Sequence, residues 1–283
     1  MTSFAVVSLV RRVTGIRKVG HAGTLDPIAD GVLPICLGRA TRLVEHVVSQ
    51  PKAYRALVRL GVETDTYDSE GTVVATGDPS GVSREAIETL LPEFTGQIEQ
   101  LPPMYSALKF QGRPLYHYAR AGKDVPREPR AVRVYTLALT RFEPPLLELE
   151  MEVGRGAYVR TIAHDLGRRL GCGAHLEGLT RTRSGPFELA NSVPPDELRP
   201  DTWQRRLLPP DRVLESWYAA LLAEEHALDV LQGRSLALEA RSGLAELEPE
   251  TPCRAYSHEG DFLGVLRYRG SGVWKPERVF ESQ

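Results

Sequence analysis

The segment from Ala131 to Val153 limits the chain to folds that contain an antiparallel sheet. Two runs, "AVRVYTLALTRF" and "LLELEMEV", flank Glu143, Pro144 and Pro145. In the second run Leu147, Leu149, Met151 and Val153 alternate with Glu148, Glu150 and Glu152. Successive side chains of a strand point to opposite faces. An apolar/acidic period of two therefore describes a strand with one face in a core and the other in water. With the proline turn between them, the two runs predict a hairpin. The run "AYRALVRLG" has the same period, with Tyr54, Ala56, Val58 and Leu60 on one face and Arg55, Leu57 and Arg59 on the other. "GTVVAT" predicts a further strand, and Val32 to Leu37 a short one whose Pro34 places it near a sheet edge.

Helical spacing interrupts these strands. Val6, Val7, Val10 and Val13 predict a helix over Ser3 to Thr14, capped by Ser3 and ended by Gly15. Thr41 to Val48 predicts another. In "SREAIETLLPEF" Ser83 is the cap and Ile87, Leu90 and Leu91 form the apolar side. Glycines in "GRGAYVRTIAHDLGRRLGCG" turn the chain into a helix carrying Ile162, Ala163, Leu166 and Leu170, ended by Gly171. The fold class is α+β, with a large sheet.

At 283 residues the chain suits one large domain or two. No apolar run reaches the roughly 18 residues that cross a membrane. The N-terminus puts its basic pair after the apolar stretch, unlike a signal peptide, so a cytoplasmic protein is expected. Cys36, Cys172 and Cys253 are far apart and form no CxxC pair, which fits three buried small apolar side chains better than a disulfide frame or zinc site. The histidines show no HxxxH or HExxH spacing.

Net charge is −2, but the charges are segregated. Lys109 to Arg133 holds seven Lys/Arg against two acids, and Arg155 to Arg183 six against two. From Glu215 to Glu250 eight acids face Arg234 and Arg241. A basic part can attract phosphates while an acidic part keeps the whole in solution. The basic segment 101–130 has five prolines, no sustained strand pattern, and Tyr105, Phe110, Tyr116 and Tyr118 among its cations. It predicts a long excursion from the core, of the kind that is usually functional. A proline-rich stretch and then the acidic run place a domain boundary near 216–224. The catalytic unit is expected over 1–218, with the excursion as an insertion, and a small β domain over 224–283.

No Ser-His-Asp or Cys-His arrangement stands out. In "GHAGTLDPIADGVLPICLG" Asp26 precedes Pro27, which is ordinary turn chemistry. The turn "GRGAYVRT" carries Tyr158, which can pack on a flat ligand. Its Arg160 can pair with a carboxylate and hold it ionised, lowering its pKa. The turn is neither a P-loop nor a dinucleotide fingerprint.

"GHAGTLDPIADGVLPICLGRATR" resembles the signature segment of the bacterial tRNA pseudouridine-55 synthases of the TruB family. "YRALVRLGVETDTYDSEG", "PPMYSALKFQGRPLYHYARAG", "GAYVRTIAHDLGRRLGCGAHL" and "LTRTRSGPF" agree with it in order and rough spacing, covering residues 1 to about 190. The resemblance implies the pseudouridine synthase fold, a large mixed and mainly antiparallel sheet, with a PUA-like RNA-binding domain at the C-terminus. It implies isomerisation of uridine at position 55 of the tRNA T-loop by base flipping, with no cofactor and no metal. Asp26 would be the nucleophile. Tyr54 would stack on the uracil and assist proton removal from carbon 5, Tyr158 would pack on the base, and Arg160 would pair with the carboxylate. Leu179 would line the pocket, and His21 would fill the space of the flipped base. Excursion 101–130 becomes a clamp on the T-stem and loop, the expected partner is tRNA, and the chain is expected to act as a monomer.

Family members begin with a strand and a "DKPxG" segment ahead of the "MTS" motif, so an in-frame segment of that kind is expected upstream of Met1. Two other activities use the same residues differently. An RNA chaperone that unfolds tRNA elbows would need the clamp and His21 but not Asp26. A nucleoside hydrolase would release free uracil and would not need residues 109–130.

Overall fold

A computed structural model gives the fold and describes residues 1–238 and 247–280. Glu239, Arg241 and Glu246 of the acidic run lie outside the described residues. No helix among the described residues is long and apolar enough to cross a membrane.

The chain opens with α1 (Ser3–Thr14). Its cap is Thr2, not Ser3: the Thr2 hydroxyl accepts from the Ala5 amide at 3.2 Å. Ser3 instead turns inward, and its hydroxyl accepts from the Leu25 amide at 3.0 Å, tying the helix to the segment that carries Asp26. Gly15 ends the helix with φ 73°. Three short strands follow: β1 (Val19–His21), β2 (Ala29–Gly31) and β3 (Ile35–Leu37). The strand expected from Val32 is thus half as long. Val32 and Pro34 spend their backbone groups elsewhere, the Val32 amide on Arg181 O and the Pro34 carbonyl on the Ala22 amide. A three-ten turn over Gly38–Leu43 runs into α2 (Val44–Ser49).

Then come β4 (Lys52–Leu60), the β5 (Val62–Thr64) and β6 (Val73–Thr76) ribbon, α3 (Arg84–Leu90) capped by Ser83, and β7 (Gly96–Gln100). The excursion is irregular at both ends and regular in its middle, where a tiny hairpin of β8 (Lys109–Phe110) and β9 (Arg113–Pro114) leads into α4 (Leu115–Arg120). Aromatic contacts hold it. Phe110 meets Tyr118 edge-on at 5.8 Å, and Arg120 lies over the Tyr116 ring at 5.5 Å. The hairpin of β10 (Arg130–Glu143) and β11 (Leu146–Val153) is antiparallel as its period requires. Next are α5 (Val159–Arg169), the long β12 (Ala174–Ser184) and the short β13 (Phe187–Glu188).

These strands form one sheet in the order β13-β12-β4-β11-β10-β7, with β2 alongside β12 as its parallel member. Val58, Leu60, Leu147, Leu149, Met151 and Val153 project to one side and meet Ile162, Ala163 and Leu166 of α5. Apolar burial along this face, at roughly 25 cal/mol per Å², is the main force that holds α5, and so Arg160, against the sheet.

A second, five-stranded sheet follows, in the order β14 (Tyr218–Leu221), β16 (Pro252–Tyr256), β17 (Phe262–Gly270), β18 (Val273–Val279), β15 (Leu236–Ala237), with α6 (Glu224–Leu231) packed on it. Tyr218–Leu221 pairs with Cys253–Tyr256, so this sheet begins ahead of residue 224. The second sheet meets the N-terminal segment through an apolar cluster: Ala22, Leu43 and Val47 from that segment, Val265 and Phe280 from the second sheet and its end, and Val213 and Leu214 between. Cys172 and Cys253 are buried, while Cys36 is half-buried rather than enclosed.

Candidate active site

Asp26 is both a turn residue and a chemical group. Its carbonyl accepts from the Ala29 amide at 2.9 Å, closing the turn through Pro27. Its carboxylate leaves the turn to meet Arg160, Oδ2 to Nη2, at 2.9 Å. The Arg160 side chain is 5% exposed and that of Asp26 34%, so a buried cation holds a carboxylate that still reaches solvent. On its other side Arg160 donates through Nη1 to Asp68 Oδ2 at 3.3 Å. Asp68 is buried and fixed in turn, since Thr66 Oγ1 donates to its Oδ1 at 2.5 Å. One guanidinium therefore links two carboxylates from different elements, a geometry that suits the arginine fork.

The electrostatics differ from the expected depression of the Asp26 pKa. Burial pushes the Asp26 carboxyl above its usual range; Arg160 pulls it down, Asp68 pushes it up, and Arg181 pulls it down. Desolvation wins because the carboxylate gives up water and shares its counter-ion with Asp68. Arg160 therefore offsets the cost of charging Asp26 without reversing it.

Two phenols border the carboxylate. Tyr54 lies on β4, opposite Arg181 on one side and Met151 on the other. Burial raises its pKa, while Arg181 beside it pulls the other way. Tyr158 immediately precedes α5, with the Arg160 guanidinium 5.9 Å from its ring centre. Gln100 pins its backbone twice, accepting from the Tyr158 amide at 2.9 Å and donating to the Tyr158 carbonyl at 3.2 Å. Burial raises the Tyr158 pKa as well. Both phenols are neutral at pH 7, so the pocket presents flat apolar rings rather than charge.

Leu179 is buried on β12, paired with Ala56 of β4 and Ala29 of β2, three residues beyond Asp26. His21 ends β1 opposite Ile35. Its Nδ1 is buried without a partner, and burial together with Arg181 lowers its pKa, so the ring is neutral in neutral water. The sequence-derived residues Asp26, Tyr54, Tyr158 and Arg160 converge. Leu179 forms the adjoining wall, and His21 sits on the neighbouring strand within the field of Arg181.

Arg181 and Asp68 were not nominated from sequence. Arg181 is 1% exposed and holds the whole Asp26 segment. Its Nε donates to Val32 O at 2.7 Å and its Nη2 to Gly23 O at 3.0 Å, bracketing the turn from both ends. Gly31 makes the approach possible: it has φ 100°, and a Cβ there would lie 2.3 Å from Arg181 O. Strand alternation could have found Arg181, because it shares a face with Leu179 two residues earlier. Nothing local separates Asp68 from Asp65 in "DTYDSEG".

The model of the TruB family pseudouridylate synthase N-terminal domain matches residues 11–159, and that of the tRNA pseudouridylate synthase B C-terminal domain matches residues 160–215. A tRNA pseudouridine synthase B of Dehalococcoides mccartyi is 41% identical over 100% of this chain and 93% of its own length. One of Symbiobacterium thermophilum is 48% identical over 82% of this chain and 78% of its own. Among solved structures, a chain of an H/ACA ribonucleoprotein bound to a substrate RNA containing 2′-deoxyuridine superposes with a TM-score of 0.74 at 24% identity, covering 100% of this chain and 82% of that one, a likeness of fold. Matched by both family models and by full-length relatives, the chain belongs to the TruB family of pseudouridylate synthases and is a pseudouridine synthase of that type.

Proposed function

We propose that this enzyme isomerises uridine 55 in the T-loop of tRNA to pseudouridine, in the cytoplasm, with Asp26 as nucleophile. The observation that carries the reading is the Asp26 carboxylate, open to solvent on one side and held at 2.9 Å by the buried Arg160 on the other. A nucleophile needs a free lone pair and a fixed direction, and that pairing supplies both.

The reaction conserves atoms. The bond from the sugar carbon 1′ to N1 breaks and one to carbon 5 forms; the carbon 5 proton leaves and N1 gains one. Asp26 attacks either the sugar carbon or the uracil ring, and the freed base turns within the pocket. Tyr54 and Tyr158 give that base flat surfaces at which to turn without binding its charge. Tyr54, whose hydroxyl lies beside Arg181, stacks on the base and assists removal of the carbon 5 proton. A stacked T-loop base must leave its stack to reach Asp26. His21, neutral and with an unpartnered Nδ1, fills the vacancy. Lys109, Arg113, Arg120 and Lys123 are exposed on the excursion and take up phosphates of the stem. The five-stranded sheet serves as a second RNA-binding unit, PUA-like in role.

The test is conversion of uridine in a T-stem-loop RNA at unchanged mass. Wild type is expected to form one pseudouridine, and Asp26→Asn none while still binding the RNA. Release of free uracil by wild type, or substantial turnover by Asp26→Asn, would overturn the assignment.

A further inference from the structure

One helical turn separates Arg160 from His164, and side chains four apart on a helix stand on one face. Two adjacent residues of the turn between β5 and β6 meet those two. Asp68 takes Arg160 Nη1. Tyr67 lays its ring flat on His164, with centroids 3.9 Å and planes 13° apart. The turn is thus fastened to α5 at two points one turn apart, one ionic and one aromatic.

Tyr67 holds an unfavourable backbone to do this. Its φ is 64°, the left-handed region that a side chain bearing Cβ resists. Such conformations persist only where the surroundings over-determine them. Here the backbone is tied to β12, with the Leu176 amide donating to Tyr67 O and the Ser69 amide to Leu176 O, each at 2.9 Å. The ring is tied to His164. That histidine is buried, with Nδ1 3.9 Å from Glu63 Oε2. Burial lowers its pKa, against Glu63 and together with Arg168, so the imidazole in the stack is neutral at pH 7.

We propose that Tyr67 and His164 form a positioning pair, whose stack sets the turn that aims Asp68 at Arg160 and, through Arg160, orients the Asp26 carboxylate. Neither residue touches substrate. With Asp68 holding Nη1, Nη2 is left pointing at Asp26. Without the ring the turn relaxes, Asp68 no longer fixes the guanidinium, and Arg160 samples orientations in which Nη2 leaves Asp26. The other groups facing Asp26 are Asp68, Arg181 and the phenols Tyr54 and Tyr158. Arg181 and Tyr158 have ties of their own, Arg181 to Val32 O and Gly23 O and Tyr158 to Gln100, and Tyr54 is set by the register of β4. The inference rests on Asp26 as the reacting carboxylate.

The test has one readout that needs no activity. The Asp26 carboxyl is titrated by 13C NMR in the full chain labelled at aspartate, its signal assigned with Asp26→Asn, and single-turnover conversion of the stem-loop is measured alongside. Tyr67→Gly removes the ring and adopts the left-handed φ freely. Tyr67→Phe keeps the ring. Tyr67→Gly is expected to move the Asp26 midpoint upward and to slow the single-turnover rate by about tenfold or more. Its half-saturating RNA concentration should stay within about twofold of wild type. Tyr67→Phe should match wild type in all three. His164→Leu, which withdraws the partner ring from the other side, should likewise raise the Asp26 midpoint and slow turnover, and decides the matter if Tyr67→Gly fails to fold. An unchanged or lowered Asp26 midpoint in the ring-deleted variants, or an equal loss in Tyr67→Phe, overturns the pair. Wild type that leaves uridine unconverted defeats the proposed function, while the titration still decides what Tyr67 and His164 do.

Discussion

Replacing Arg160 by methionine keeps most of the volume at a site that is 5% exposed, and removes the cation that Asp26 and Asp68 share. Breaking a buried ion pair from one side costs about 3–5 kcal/mol, because the remaining charge stays desolvated. Asp68 is as buried as Arg160 and bears that cost in full, whereas Asp26 is 34% exposed and recovers part of its hydration. The lower part of the range therefore applies. At about 2–4 °C per kcal/mol for a chain of this size, thermal unfolding at pH 7.5 should fall by about 6–12 °C. The loss must depend on pH with a fixed sign. Without Arg160 the Asp26 carboxyl, already raised by burial, has a folded-state pKa still further above its unfolded one. The native state then takes up protons as pH falls, and the deficit shrinks from pH 8 toward pH 5. Losing the pull of Arg160 also moves Asp26 further up, so any residual turnover should need higher pH than wild type. Calorimetric scans of both proteins across that range, with turnover on the same samples, are the assay. Midpoints within about 2 °C of each other at every pH would show that the guanidinium is not what neutralises this pocket.

Asp26→Asn should separate stability from turnover. Because burial dominates and raises the Asp26 pKa, the charged form costs folding free energy, and the neutral isostere should unfold at or above the wild-type temperature near pH 7.5 while turnover vanishes. A marked drop in its unfolding temperature would contradict the balance of burial over Arg160. Gly31→Ala puts a Cβ 2.3 Å from Arg181 O at φ 100° and should cost about 2 kcal/mol or more, measurable by urea titration; a neutral outcome would mean that the Asp26 segment sits loosely on β12. Arg113→Ala and Lys123→Ala, both exposed on the excursion, should each flatten the log–log salt dependence of tRNA binding by about one and leave single-turnover rates at saturating RNA unchanged. An unaltered slope would remove the excursion from the RNA interface.

What was legible in the sequence follows from the range of the forces involved. The β10–β11 hairpin, β4 and the apolar side of α5 were readable because each buries a periodic face, and periodicity is a local property. The end of α1 was readable because Gly15 supplies the left-handed residue. Its span was right, but its cap was misplaced by one residue because Thr2 and Ser3 are chemically equivalent as caps; only the distant Leu25 amide, which claims the Ser3 hydroxyl, separates them. Asp26, Tyr54, Tyr158 and Arg160 were recognisable by resemblance, and the fold explains why they converge. Asp68 and Arg181 were not, since their roles rest on contacts with Arg160 and with the Gly23 and Val32 carbonyls, far away along the chain. The pKa of Asp26 was misjudged for a related reason: a pairwise view of Arg160 omits both the lost water and the second carboxylate.

The cluster that joins Ala22, Leu43 and Val47 to Val265 and Phe280 packs the N-terminal segment against the second sheet. Ala22 is completely enclosed there, next to His21 and four residues before Asp26, in a cluster completed by residues far along the chain. Synthesis runs from the N-terminus, so this apolar spot is expected to stay wet until Val265 and Phe280 have been made.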